Sequence, residues 1–365
     1  MHNKPLTPLE MYNTAIDTMG KNFINQSSQI IKRDYEFDNE EEEKIFSEYL
    51  SGRVKNLITD IVREERKKYL PNTPTEAEYY SSEVKNILHH NIDCKMEKEK
   101  TLWPIYKKIR DKIIDSIKGK LGLTIFVGAG ISDAPLKVTE IAKGLLNNQG
   151  HSLTEYNFNE EYSPKWYESW QLVEKYHVEF EKIFRKLTVF KGVNPTDAQK
   201  ILAQLFQDYK QEIKQIVVFN WDNLIETSHL LQYGEKLEAV LGTTDMGDVL
   251  VGDAIPSSLE ITKPYIWHPH GFIGTEEKFI LPHEEGIFPD KLKSFCKECF
   301  YGVYLIIAFR DEHHSTMSNF FSDVDAQKVI RVRADKENQE LTINIDRDVY
   351  LKVLKTWFPQ KSSTP

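Results

Sequence analysis

From residue 121 onward, short apolar runs rich in β-branched residues alternate with stretches of helical periodicity. The chain therefore predicts an α/β protein, with a mostly parallel sheet and helices on both faces. Three of the apolar runs stop abruptly at glycine, amide, carboxylate or imidazole residues, and open α/β sheets bind ligands at that carboxyl edge. The first 120 residues carry helical periodicity without such runs. They predict a separate N-terminal helical module, with domains at 1–120 and 121–365.

In the N-terminal module, Thr7-Pro8-Leu9-Glu10 has the form of a capping box with proline at the first helical position. The acidic run Glu40 to Glu43 suits the positive end of a helix. Leu50, Val54, Leu57, Ile58, Ile61 and Val62 then recur on one helical face, and this helix is expected to stop before Pro71. Residues 71–82 read as a loop. Ile105, Ile109, Ile113 and Ile117 form an i, i+4 stripe that runs to about Lys118. Such faces can pack on the α/β domain or form a subunit or partner interface.

Leu123-Thr-Ile-Phe-Val127 reads as a buried strand that ends in Gly128-Ala129-Gly130-Ile131-Ser132. Glycines let the backbone turn sharply and approach a ligand, and the N–H groups of such a turn can cradle a pyrophosphate. The Ser132 hydroxyl could meet a ribose or phosphate oxygen. Residues 164–187 carry a long amphipathic, aromatic-rich pattern, and Thr196 with Gln199 opens a helix to about Tyr209. A second strand at 215–219 runs into Asn220-Trp221-Asp222, and a third near 263–268 runs into His268-Pro269-His270-Gly271. Further strands are expected near 302–309, 328–333 and 341–345, with a helix near 347–357.

Composition excludes several classes. No apolar run approaches the ~20 residues that span a bilayer, and the N-terminus lacks the apolar core of a signal peptide, so a cytoplasmic, non-membrane protein is expected. A net charge of −9 argues against a dedicated nucleic-acid surface. The three cysteines, Cys94, Cys296 and Cys299, supply a single Cys-x-x-Cys, half of a four-thiolate zinc site, and His313-His314 reads as a solvated pair; no metal is expected.

Gly128-Ala129-Gly130-Ile131-Ser132, Asn220-Trp221-Asp222 and His270-Gly271, in this order, resemble the sirtuin-like NAD-binding family over roughly residues 121–358. The resemblance implies a Rossmann-like domain. It implies that Gly128, Ala129, Gly130, Ile131 and Ser132 hold the phosphates and adjoining ribose of NAD, with Phe309 on the adenosine side. Asn220 would contact the nicotinamide ribose and position water, Asp222 would orient the ribose or support the loop, and His270 would act as general base. His268 competes for that role. Ala308 and Arg310 stand where the family usually has Gly and Ser.

Two departures favour one branch. Asp133-Ala134-Pro135-Leu136-Lys137 replaces the loop of the protein deacetylases, and their zinc pairs are missing. The chain thus resembles the bacterial anti-phage branch, which implies an NAD hydrolase that releases nicotinamide and ADP-ribose. It further implies a homo-oligomer gated by assembly or by a HerA-type ATPase, an Argonaute-like protein or another sensor. The alternatives are an NAD-dependent protein deacylase and a non-catalytic NAD or ADP-ribose sensor.

Overall fold

The computed structural model describes residues 5–34, 37, 39–132, 138–152, 154, 158, 163–190, 193–235, 237, 240–243, 249–251, 265–268, 281, 302–309, 321, 324–333 and 340–358. They fall into two compact units, Met1–Lys107 with Lys352–Pro365 and Lys108–Leu351. Among the described residues, no helix is long and apolar enough to cross a membrane.

The first unit contains α1 (Pro8–Asp34), α2 (Glu40–Lys68) and the part of α3 (Pro74–Lys118) that precedes Lys108. The Thr7 capping box forms: Glu10 accepts from the Thr7 N–H at 2.7 Å, and Thr7 Oγ1 accepts from the Glu10 N–H at 3.2 Å. Asn39 caps α2 by accepting from the Glu42 N–H. Leu50, Val54 and Ile58 are buried, as the periodicity of α2 requires.

The loop expected at 71–82 is mostly helix, because α3 begins at Pro74. Thr73 Oγ1 accepts from the Glu76 N–H at 3.2 Å, and Glu76 reaches back to the Asn72 N–H at 2.7 Å. Thr73-Pro74-Thr75-Glu76 has the same sequence form as Thr7-Pro8-Leu9-Glu10, so Pro74 starts the helix instead of breaking the chain into loop.

The second unit is built on an eight-stranded sheet in the order β4-β3-β5-β2-β1-β6-β7-β8. The strands are β1 (Leu123–Val127), β2 (Ile213–Val218), β3 (Val240–Thr243), β4 (Val249–Val251), β5 (Tyr265–His268), β6 (Val303–Ile307), β7 (Val329–Val332) and β8 (Thr342–Ile343). All pair in parallel except β4, which runs antiparallel beside β3. This is the expected α/β class. The edge hairpin of β3 and β4 has no counterpart in the sequence reading, because neither strand is long enough to show a clear period.

The helices α4 (Val138–Asn148), α5 (Pro164–Glu174), α6 (His177–Phe190), α7 (Asp197–Asp208), α8 (Leu224–Tyr233) and α9 (Arg347–Thr356) accompany the strands. The single aromatic stretch expected at 164–187 is two helices with a turn at Lys175–Tyr176. Ser163 caps the first, and Pro164 occupies its opening position.

β1 lies at the centre with every residue buried, paired with β2 on one side and β6 on the other. The chain leaves β1 toward β2 and later returns to the opposite side as β6, so the carboxyl end of β1 is a topological switch point. Gly128 follows directly. A Cβ there would meet the Ala308 carbonyl oxygen and stand 2.6 Å from Phe309 Cα. Ala308 itself has φ of +53°, the left-handed backbone that a glycine would adopt more freely.

Gly128→Ala therefore forces the β1 and β6 turns apart. The expected cost is about 1–3 kcal/mol of overpacking, measured as a drop in unfolding midpoint in denaturant. An unchanged midpoint would contradict the close approach.

Candidate functional site

The carboxyl ends of β1, β2, β5 and β6 bring together the turn at 128–132, the loop at 219–223, His268 and Phe309. After Gly128 the chain makes one 3-10 turn, Ala129–Ile131. Gly128 N–H donates to the Ile307 carbonyl at 3.1 Å and Gly130 N–H to the Ala308 carbonyl at 3.3 Å. Ile131 N–H and Ser132 N–H donate back within the turn, to Gly128 and Ala129. A phosphate arriving here competes with main-chain acceptors at these four N–H groups. Ala129 and Gly130 are exposed, whereas Ile131 is fully buried and serves packing.

Ser132 is the node of a side-chain network. Its Oγ accepts from Gln199 Nε2 at 2.9 Å and from Asn220 Nδ2 at 3.0 Å, and it donates to Asp222 Oδ2 at 3.0 Å. One donor and two acceptor positions are all a hydroxyl has. Ser132 is thus saturated by protein, and a ribose or phosphate could bind it only by displacing a partner.

Asn220, 8% exposed, also donates through Nδ2 to Asp222 Oδ2 at 3.0 Å. A carboxylate only accepts, so this contact fixes which end of the amide is which. Nδ2 faces Asp222 and Oδ1 is turned the other way. Asp222 Oδ1 in turn accepts the N–H of Leu224, the first residue of α8, at 3.1 Å. The carboxylate thereby serves both the site and the helix start.

Asp222 keeps partial surface exposure, yet protein surrounds its carboxyl group. Burial raises its pKa above the ordinary carboxylate value. The hydrogen bonds from Leu224 and Ser132 work against that rise, the nearby Glu226 carboxylate adds to it, and His268 opposes it.

Sequence reasoning treated Gln199 only as a helix cap. Its Oε1 does accept the Thr196 N–H at 2.8 Å, which completes the capping box and aims Nε2 at Ser132. Thr196 Oγ1 also donates to the Ile131 carbonyl at 3.0 Å. The start of α7 therefore buttresses the β1 turn. The capping motif was legible, but its spatial target was not.

Trp221 turns away from its neighbours into an aromatic cluster. Its ring lies 5.8 Å from those of Phe180 and Phe184 and 6.3 Å from Trp170, all edge-on. Phe309 is buried and stacked on Phe219 with 4.2 Å between centroids, so one of its faces is already covered.

His268 is fully buried at the end of β5. Its Nε2 lies 2.6 Å from Glu226 Oε1, and its Nδ1 lies 3.3 Å from the Asn220 carbonyl oxygen. Glu226 received no role from sequence; four residues beyond Asp222, it sits one turn into α8. His270, Gly271, Asp133 to Lys137, Arg310, Cys296, Cys299, His313 and His314 lie outside the described residues. Among the described residues, no group of His, Cys, Asp and Glu is placed to hold a metal ion.

No protein-family model matches the chain, and no curated protein matches it. Among solved structures it is similar to one described as "Structural Basis for the Mechanism and Regulation of Sir2 Enzymes". The identity is 13%, with 68% of this chain and 97% of that chain covered and a TM-score of 0.33.

The raised carboxyl of Asp222 has a sign that can be tested. A carboxyl whose folded pKa lies above its unfolded value favours the folded state least when ionised. Stability is then lost as pH rises from the unfolded value, about 4, through the raised folded value. Asp222→Asn removes this ionisation. Its stability relative to the native chain should improve as pH is raised from about 4 and level off once the folded carboxyl has ionised, as read in denaturant titrations. A relative stability that declines over this range would show that the carboxylate, not the acid, is the favoured folded form.

Proposed function

We propose that this chain is an NAD glycohydrolase, which cleaves the nicotinamide–ribose bond with water to give nicotinamide and ADP-ribose. The observation that carries the reading is the convergence of Ser132, Asn220 and Asp222 within about 3 Å contacts at the carboxyl edge of β1 and β2. The resemblance of the three short motifs to sirtuin-like proteins supplies the substrate class.

The chemistry suits such a site. The C1′–N bond of NAD breaks with its electron pair going to the pyridinium nitrogen, which becomes neutral nicotinamide. Positive charge develops on the ribose as an oxocarbenium-like centre. Asp222, desolvated at rest, gains a partner as that charge appears, so its attraction is strongest where the reaction needs it. Asn220, with its amide locked by Asp222, presents Oδ1 to a ribose hydroxyl or to the incoming water. Water forms the new C1′–O bond and gives its proton to a base, for which His270 is the candidate, and the proton then passes to solvent. The exposed Ala129 and Gly130 would carry the diphosphate.

The wider setting belongs to the same proposal. The enzyme works in the cytoplasm, without a metal, as an anti-phage effector that depletes NAD. Residues 1–120 build a homo-oligomer or dock a HerA-type ATPase, an Argonaute-like protein or another sensor, which keeps the activity gated. Phe309 supports the adenosine side.

The full-length protein incubated with NAD should release nicotinamide and ADP-ribose, at a rate per chain that rises with protein concentration. Asn220→Ala and His270→Ala should each lower the rate by about 10²–10⁴-fold, the usual contribution of a positioned polar or acid–base group. Sedimentation should show an assembly at the concentrations where activity appears. Turnover only with an acyl-lysine peptide would identify a deacylase, and NAD binding without any turnover would identify a sensor. Undiminished activity in both variants would remove the site, and a monomer at all concentrations would remove the gating by assembly.

A further inference from the structure

The pair His268–Glu226 lies beside the network and has no part in the chemistry above. β5 pairs with β2 through Gln215↔Tyr265, Ile216↔Ile266 and Val217↔Trp267, which brings the next residue of β5, His268, alongside the start of the Asn220 loop. The ring is completely buried, and both nitrogens face acceptors. Nδ1 lies 3.3 Å from the main-chain oxygen of Asn220, and a carbonyl oxygen only accepts, so a hydrogen bond here requires Nδ1 to carry the hydrogen. A neutral ring would then present a bare Nε2 to Glu226 Oε1. Two bare acceptors do not sit 2.6 Å apart, so a second proton lies between them.

Glu226 depends on this proton. Its other oxygen, Oε2, is buried and has no hydrogen-bond partner among the described residues. A lone carboxylate there would cost several kcal/mol and would add a second negative charge beside Asp222.

We propose that Glu226 and His268 form a positioning pair, in which the shared proton commits both ring nitrogens and Nδ1 holds the main chain of Asn220 in place for the reaction. The inference rests on the NAD-cleaving reading of the site. It assigns His268 to positioning and removes it as a rival to His270 for the role of base. By neutralising Glu226, it also leaves Asp222 as the carboxylate available to a developing positive charge.

Two readouts on the full-length protein test this. With ¹⁵N-labelled histidine, the His268 ring, identified by the signal lost in His268→Gln, should show two protonated nitrogens or a proton shared with Glu226. Glu226→Gln should return the ring to a neutral form. In nicotinamide-release assays, Glu226→Gln and His268→Gln should lower kcat by about 30-fold, which corresponds to roughly 2 kcal/mol of transition-state stabilisation, while the Kd for NAD moves less than about threefold.

A neutral ring with a bare Nε2 in the native protein would overturn the proposal. So would a native kcat in His268→Gln, or a loss confined to NAD binding. Should neither variant fold, the His268 ring is assigned in the native protein through its own backbone resonances, and its spectrum decides. Should the native protein release no nicotinamide, the NAD-cleaving reading falls, and the ring spectrum still decides whether the shared proton exists.

Discussion

The site depends on what one carboxylate accepts. Asp222 takes the Ser132 hydroxyl, the Asn220 amide and the Leu224 N–H on its two oxygens, and so ties the β1 turn, the β2 loop and the start of α8 to one point. Hydrogen bonds to a charged group contribute about 1.5–3 kcal/mol each. That offsets the desolvation that raises the Asp222 pKa, without removing it. What remains is a carboxylate held by neutral donors in a desolvated pocket; in the proposed reaction it would respond to the cation that forms.

The first unit shows the contrasting case. Glu42 is completely buried, and it accepts from Tyr106 Oη, from Trp357 Nε1 at 3.1 Å and from Asn39 Nδ2 at 3.3 Å. Aromatic rings close around it: Phe46 lies 4.7 Å from Tyr106, and Trp103 stacks on Tyr106 at 5.2 Å. Among the described residues, the Glu42 side chain has no exposed surface. The C-terminal Trp357 is instead pinned to the helical unit, which is why Lys352–Pro365 groups with Met1–Lys107. Burial of a carboxylate is therefore no sign of chemistry by itself; the edge that Asp222 keeps toward solvent distinguishes the two.

The strands at the centre of the sheet were legible because buried parallel strands read as unbroken apolar runs, and Leu123–Val127 and Val303–Ile307 lie where such runs do. The capping boxes at Thr7 and Thr196 were legible from local spacing. The one at Thr73 carries the same signature and was lost behind two prolines. The site was half legible. Ser132, Asn220 and Asp222 stand at strand ends, which sequence order reveals, but their mutual contacts span up to 90 residues and depend on strand order. Gln199 and Glu226 came from helices whose faces look unremarkable until β1, β2 and β5 are placed side by side. No local pattern states that a cap and a serine will meet across 67 residues.

Residues 220–222, just beyond β2, explain how so small a loop can be held firmly. Asn220 and Asp222 point to the same side and share Ser132, while Trp221, between them, points into the cluster formed with Phe180 and Phe184. An indole anchored in packed aromatic surroundings resists rotation of the loop, since turning it would expose a large apolar ring at a cost of about 1.5–3 kcal/mol or more. From the other side, Phe219 N–H donates to the Val127 carbonyl at 2.9 Å, and the Phe219 ring stacks on Phe309. Consecutive residues are thus fixed in alternate directions by aromatic packing, and the polar pair is left with a single geometry. The precision of Asn220 and Asp222 comes from the apolar residues that interrupt them.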